Sequence, residues 1–447
     1  MKILAGGAAA LCLTLCLMVS SPCAAGSVPL KTWQLSNGLK VYFLADHKAP
    51  VVTVQLFYHA GSKDEPADKR GMAHMFEHMM FKGSKHVPPE EHAHFVSAVG
   101  GNDNAFTTDD LTGYHNTVPP SALEFTLQLE AERMRHLLLT QKTIDSEREV
   151  VKEELRLRLE NNPVMQALDK VLHLAYTTHP YQQSPIGEKA MLDSVTIADC
   201  EKFYDRFYRP NNASLIIVGD SDEATVQRLV DRCFSSLERG VDASRSVPVE
   251  PAQTERRQSK LALSVQLPIM IGAYHIADGK SDDRYALEVL QQILSGGESS
   301  RLHARLVRRD KLAVAAGGQV FDHEDPGLFL IYAAYLPSSD SERIGSVLHQ
   351  EIGRLREKEV EPRELKKARN QLAAQAVFRR ERVAEVATQI GTDAYIGHDP
   401  ERGFAADRKY DGVTAQDLLR VARKYLVDSN ETLVTLVPKA AHAEGSK

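Results

Sequence analysis

The segment "PVVTVQLFYHAGSKDEP", residues 50–66, leads within a few residues into "GMAHMFEHMMFKGS", residues 71–84. The first is rich in β-branched and aromatic residues and ends in turn-forming residues, which predicts a strand. The second carries Met72, Met75, Phe76, Met79 and Met80 at helical spacing, which predicts a helix with an apolar face. The same succession returns in the second half of the chain. There "LPIMIGAYHIADGKSDD", residues 267–283, leads into "RYALEVLQQILSGGESSRL", residues 284–302. Each helix is followed by an expected strand pair, at 104–118 and 312–336, and then by long amphipathic helices. Such self-similarity predicts an α+β fold of two tandem homologous domains, each a mainly antiparallel sheet with helices packed on one face.

The divider between the copies is "VDASRSVPVEPAQTERRQSK", residues 241–260, rich in Pro, Ser, Gln and charge and poor in large apolar groups. The expected domains are therefore 26–240, which carries the histidine motif discussed below, and 261–447, which does not. Residues 1–25 read as a secretory signal peptide. Lys2 precedes an interrupted apolar run, "SSPCAAGS" supplies a small-residue cleavage region, and cutting is expected after Ala25. The run is too broken to read as a spanning helix. Pro22 before Cys23 argues against lipid attachment there. The mature chain is expected in a bacterial periplasm or otherwise outside the cytoplasm.

Of the five cysteines, Cys12, Cys16 and Cys23 fall in the expected signal, leaving Cys200 and Cys233. Two cysteines make no disulfide framework, and pairing or burial as two small apolar side chains are both open to them. The 54 basic and 60 acidic residues give a formal charge of −6 without a basic stripe, which excludes a nucleic-acid partner.

The helix at 71–84 also contains "HMFEH". Residues four apart share a helical face, so His74 and His78 can offer two imidazoles to one ion, with Glu77 beside them. A catalytic zinc site takes three protein ligands and leaves one position to water. Glu77 is then placed to take that water's proton, in the inverse of the H-E-x-x-H arrangement. The second copy acts as an internal control. Aligning residues 82–84 with 295–297 sets Leu287, Leu290 and Gln291 opposite His74, Glu77 and His78, so this architecture does not need the three polar groups for packing.

A third ligand is expected from "TIDSEREVVKEELRLRLENNP", residues 143–163. It reads as one helix with a capping box at Ser146 and Glu149 and with Pro163 closing it. Glu147 and Glu154 share a face of that helix, whereas Glu149, Glu153 and Glu160 read as solvated. Periodicity alone does not choose Glu154 over its neighbours. Of the other histidines, His86, His92 and His94 do not converge at helical spacing, and His179 before Pro180 reads as structural. Arg301, Arg305, Arg308 and Arg309 read as a solvated or partner-facing helix side.

H-x-x-E-H followed by "EREVVKEE", with "GGNDNAFTTDDLTGY" between them and "HPYQQSPIG" and "FYRPNNASLIIVGD" after, resembles the pitrilysin family of inverted-zincin metallopeptidases, which includes insulysin and the mitochondrial processing peptidase. The resemblance spans nearly the whole mature chain and is to the short bacterial type, in which two chains form a clam-like chamber. It implies one Zn2+ per chain, with His74, His78 and Glu154 as ligands, Glu77 as general base and Glu147 as an auxiliary glutamate. The implied activity is endopeptidase cleavage of peptides or unfolded polypeptide segments. Extended substrate is expected to add to an edge strand at Asn104, Ala105 and Phe106, through main-chain hydrogen bonds about a turn at Asp109 and Asp110. The alternative is a non-catalytic relative serving as a scaffold or assembly subunit. Active family members place an arginine, and seven residues later a tyrosine, in the second half; the aligned residues here are Val307 and Val314, and Arg308 is one residue out of register. On an α-helix one residue is a rotation of about a hundred degrees. The resemblance therefore implies a heterodimer with a similar chain supplying that pair; a homodimer is the alternative.

Overall fold

The computed structural model describes residues 29–439. The expected signal segment, with Cys12, Cys16 and Cys23, lies outside them. The first sheet contains β1 (Lys31–Gln34), β2 (Lys40–Ala45), β3 (Val52–Tyr58), β4 (Asn102–Thr107), β5 (Thr112–Val118) and β6 (Ala213–Gly219), in the spatial order β1-β2-β6-β3-β5-β4. The second contains β7 (Arg257–Leu263), β8 (Ile269–His275), β9 (Ala313–Phe321), β10 (Leu328–Tyr335) and β11 (Glu431–Pro438), ordered β7-β11-β8-β10-β9. All neighbouring strands are antiparallel except β2 with β6 and β7 with β11. Five strands of the first sheet thus have counterparts in the second in the same order, as the duplication predicts, and β1 is the addition.

The helices of the first half are α1 (Met72–Met79), α2 (Glu91–Ala98), α3 (Leu123–His136), α4 (Gln141–Leu155), α5 (Pro163–Ala175), α6 (Lys189–Ser194), α7 (Ile197–Phe207) and α8 (Glu223–Phe234). Those of the second are α9 (Asp283–Ser295), α10 (Ser341–Glu357), α11 (Pro362–Arg379), α12 (Val383–Ile396), α13 (Ala406–Gly412) and α14 (Ala415–Tyr425). Met72, Met75, Phe76 and Met79 of α1 enter the first core with Leu56, Tyr114, Phe203 and Tyr208, which accounts for the apolar ring about the histidine motif. In α9 the residues opposite His74 and Glu77, Leu287 and Leu290, are buried in the second core, while Gln291 donates to the Gly318 carbonyl on β9 at 2.8 Å.

The α+β class and the two-copy layout are as expected. The other face of each sheet is closed by a helix of the opposite half. Ala167, Val171 and Ala175 of α5 pack on Ile271, Ala273, Leu330, Val434 and Leu436 of the second sheet. Val386, Ala387 and Ile390 of α12 pack on Tyr42, Leu44, Phe57, Ile216 and Val218 of the first. Gln55 of β3, buried on that side, donates to the Ala384 carbonyl at 2.8 Å and accepts from the Thr388 hydroxyl. Gly391 permits the close approach, since a Cβ there would lie 2.4 Å from the Phe57 ring.

Three local expectations are corrected. Residues 241–256 have no regular structure, but residues 257–260 of the expected linker pair in β7. The remainder is a strap held down along its length: Arg245 bonds Asp64 at 2.9 Å, and Glu250 accepts the amides of Thr177, Thr178 and His179. The helix expected at 143–163 begins at Gln141, capped by Thr140 with Thr143 rather than by Ser146 with Glu149. It widens into a π-helical turn, Arg156–Glu160, and Pro163 does not close it. Proline is favoured in the first turn of a helix, and here the Asn162 side chain accepts from Val164 and Met165 so that Pro163 opens α5. Cys200 and Cys233 are free thiols, the first buried and the second half-buried.

Candidate metal centre

The α1 helix is fixed at its start from a distance. The Glu65 carboxylate accepts the amides of Gly71 at 3.0 Å and Ala73 at 2.6 Å, satisfying donors that a helix N-terminus leaves unpaired. Burial pushes Glu65 up to about 8, against the pull of those two amides. Gly71 holds φ at +93°, and a Cβ there would meet the Ile186 carbonyl oxygen at 2.7 Å, so the entry turn requires glycine.

One turn apart on α1, the rings of His74 and His78 lie 4.9 Å between centroids. The antiparallel-packed α4 brings Glu154 against both: its Oε2 is 3.7 Å from His74 Nε2 and 3.3 Å from His78 Nε2. These three side chains each offer one donor atom within 4.8 Å of the others. A tetrahedral zinc with ligands at about 2.0–2.1 Å sets its donors roughly 3.4 Å apart, so the trio already has the spacing of a shared ion. Burial, with help from His78 and Arg158, pulls His74 down to about 3, which keeps that imidazole neutral and available as a ligand.

Glu147 stands one layer out. It is buried, 3.5 Å from His78 Nδ1 and 3.2 Å from Lys82 Nζ. Burial lowers His78, but the Glu147 bond and the charges of Glu154 and Glu77 outweigh it and raise its pKa. Burial likewise raises Glu147, and the His78 bond and Lys82 reverse that shift, holding it below the usual carboxylate range. A carboxylate on the far nitrogen of a ligand imidazole fixes its ring orientation and tautomer. Arg158, in the π-helical turn, binds the other oxygen of Glu154 at 2.8 Å. Glu149, Glu153 and Glu160 are exposed, as expected.

Glu77 points toward the edge strand. Its Oε2 accepts the Thr107 hydroxyl at 2.6 Å. Burial raises the Glu77 pKa, the Thr107 bond and His78 oppose the shift, and Glu154 adds to it. Thr107 was not singled out from the sequence; the available signal was its place on the same strand face as Ala105. The strand itself, β4, is the outermost of its sheet, and the chain turns at Asp109 and Asp110 as expected. Of the three residues expected to meet substrate, Asn104 is exposed with its side chain turned back onto the Ala105 amide. Ala105 packs on the α1 side, while Phe106 faces the opposite side, edge-on to Phe57 at 5.5 Å.

The other basic and histidine groups lie apart from this centre. Arg301 pairs with Glu364, Arg305 with Glu351 and the exposed Arg309 with Asp310, so three of the four arginines bond their own chain, a correction to the solvated or partner-facing reading. The segment His303–Arg309 is π-helical, so the α-helical angle expected for Arg308 does not carry over. Arg308 is exposed, Val307 packs on the second core, and Val314 is 46% exposed on β9. His86 bonds Glu132, His92 bonds Asn116 and His94 is exposed, three separate surroundings. His179 accepts from the Tyr181 amide and contacts Asp325, a structural cap.

Two sequence-family models match the chain: "Insulinase (Peptidase family M16)" over residues 40–189 and "Peptidase M16 inactive domain" over residues 194–372. The protein named zinc protease PqqE of Helicobacter pylori is 31% identical over 408 residues, covering 90% of this chain and 92% of that one. The crystal structure of a protease from Helicobacter pylori superposes with a TM-score of 0.87 at 30% identity, over 92% of this chain and 99% of that one. The periplasmic protease PqqL from Escherichia coli shares the fold, with a TM-score of 0.77 at 19% identity, over 91% of this chain and 47% of that one. Among the described residues, no helix is long and apolar enough to cross a membrane. With both family models in sequence order and full-length similarity to a zinc protease, the chain belongs to peptidase family M16, the pitrilysin family.

Proposed function

We propose that this chain is a zinc-dependent endopeptidase that hydrolyses peptides or unfolded polypeptide segments. The observation that carries the reading is the convergence of His74, His78 and Glu154 at ligand spacing, with the Glu77 carboxylate on the same helical turn and held by Thr107. His74, His78 and Glu154 would hold the ion, and bound there zinc supplies Lewis acidity toward a carbonyl oxygen and a water. Glu77, its pKa raised by burial, takes a proton from the attacking water and delivers it to the leaving nitrogen. Glu147 keeps the His78 ring in place. The β4 edge offers main-chain groups to an extended substrate, which favours unfolded segments over a particular sequence.

The proposed compartment is the periplasm, supported by the leader pattern of residues 1–25 and by the likeness to a periplasmic protease. The proposed assembly is a heterodimer. The side chains of Val307 and Val314 have no polar atom with which to stabilise charge developing on the substrate carbonyl, and PqqL, of which this chain spans 47%, is long enough to hold two such units. The test is zinc analysis and digestion of unstructured peptides by the purified chain, alone and with a paralogous chain. Partner-dependent, chelator-sensitive hydrolysis is expected. Strong hydrolysis by the chain alone, unchanged by any partner, refutes the heterodimer.

A further inference from the structure

Just past the Thr107 end of β4, a compact set of charges joins the two halves. The Asp110 carboxylate at the β4–β5 turn receives four donors. Lys63 Nζ lies 2.7 Å away and the Tyr181 hydroxyl donates to the same oxygen, Oδ1; the other oxygen accepts the Glu324 amide at 3.0 Å and stands 3.4 Å from His323 Nδ1. Four donors occupy the lone-pair capacity of a carboxylate. Two of them come from the tip of the β9–β10 hairpin in the second half. Lys63 and Asp110 are each only 1% exposed, and Lys63 also grips Glu324 at 2.5 Å and Asp325 at 3.4 Å. Asp109 adds the Ser62 hydroxyl at 2.9 Å and lies 3.9 Å from His323, whose ring is tilted against that of Tyr181 with centroids 4.5 Å apart. The turn's backbone is pinned too, with Thr108 and Asp109 carbonyls accepting from Ser62 and Lys63. Buried charges are costly unless geometry and pairing are complete, so a turn that needed only to reverse the chain would not require this arrangement.

The turn begins one residue after Thr107, the residue that holds Glu77. We propose that the cluster is a positioning device by which the second half, through His323 and Glu324, fixes the Asp109–Asp110 turn, and through it the Thr107 hydroxyl against Glu77. This deepens the proposed peptidase reading and rests on Glu77 acting as its base. Thr107 and His323 are positioning residues: neither is placed on substrate, and each acts through its neighbour. His323 is faced by Asp109 and Asp110 of the turn, by Asp322 beside it and by the Tyr181 ring. Burial lowers its pKa, but those carboxylates outweigh burial and raise it above the ordinary imidazole value, so the cation that completes the clamp persists to higher pH than a free histidine would and is lost as pH rises through that raised value.

The test is a double-mutant cycle in the active assembly, with zinc content and melting temperature recorded for every variant. Thr107→Val is expected to lower kcat about ten- to hundredfold with zinc retained, the worth of one hydrogen bond to a charged group, and Thr107→Ser to restore most of it. His323→Gln is expected to lower kcat several-fold and to remove a step from the alkaline limb of its pH profile. The double variant should lose no more than Thr107→Val alone, because His323 acts through Thr107. If His323→Gln does not fold, Glu324→Gln, at a side chain still 21% exposed, gives the same cycle by removing the second grip on Lys63. Losses that multiply, or a Thr107→Val variant with unchanged kcat, overturn the coupling. A Glu77→Gln enzyme with full activity overturns instead the reading on which it rests.

Discussion

Replacing Glu154 by glutamine removes the one anionic donor among the three convergent side chains while keeping its shape. The loss in fold stability should be small. Glu154 gives up Arg158, a side chain 73% exposed, in a class of solvent-open pair that contributes about 0–1 kcal/mol, and its 3.3 Å approach to His78, which keeps Glu147 as a second carboxylate. Glu153→Gln is the matched control, since Glu153 pairs with Arg156 at 2.6 Å on the solvent side of the same helix. Zinc affinity should separate the two. Changes one layer outside a metal cost roughly 10–100-fold, so loss of a charged ligand is expected to cost at least about 100-fold. With free zinc at a hundred times the wild-type Kd, binding stabilises the fold by about 2.7 kcal/mol; a Kd raised a hundredfold leaves about 0.4 kcal/mol. Melting curves with and without zinc should thus show a gap of about 2.3 kcal/mol in zinc-induced stabilisation between Glu154→Gln and either wild type or Glu153→Gln. A chelator-competition titration measures the Kd directly. Equal zinc affinity in the two variants would remove Glu154 from the ligand set.

Glu77→Gln should retain zinc at wild-type affinity and lose about 10²–10⁴-fold in kcat, measured on an unstructured fluorogenic peptide; near-normal turnover would show that the proton moves by another route. Acid stability should carry the signature of His92, which burial and Arg133 pull from 6.5 to about 3 despite its bond to Asn116. Its folded pKa lies below its unfolded value, so the unfolded chain binds the extra proton and stability falls as pH drops from 6.5 toward 3. Denaturant titrations across that window should show a shallower decline in His92→Asn than in wild type, and identical slopes would exclude His92 as a contributor.

Much of the centre was legible because it depends on local periodicity. His74, Glu77 and His78 lie within one helical turn and a little more, and a helix turns such spacing into geometry with no help from the rest of the fold. Glu147 and Glu154 were legible as a shared face, but choosing Glu154 required the tertiary approach of α4 to α1. Thr107 was invisible for the same reason, since its partner is thirty residues away on another element. The crossing of α5 and α12 is not legible in the sequence. Ala167, Val171 and Ala175 announce an apolar face, but small side chains carry no address for the sheet they will cover. The capping of α4 misled because Ser146 and Glu149 fit the box pattern as well as Thr140 and Thr143 do, and only the true start of the helix distinguishes them.

The mutual exchange of α5 and α12 makes the covalent connection between the halves dispensable and their association obligatory. A protease that nicks the strap at residues 241–256 would leave two fragments still threaded through each other, each holding a helix packed on its neighbour's sheet. Expressed separately, either fragment would present one naked sheet face and one orphan helix, and would be recovered in folded form only in the company of the other.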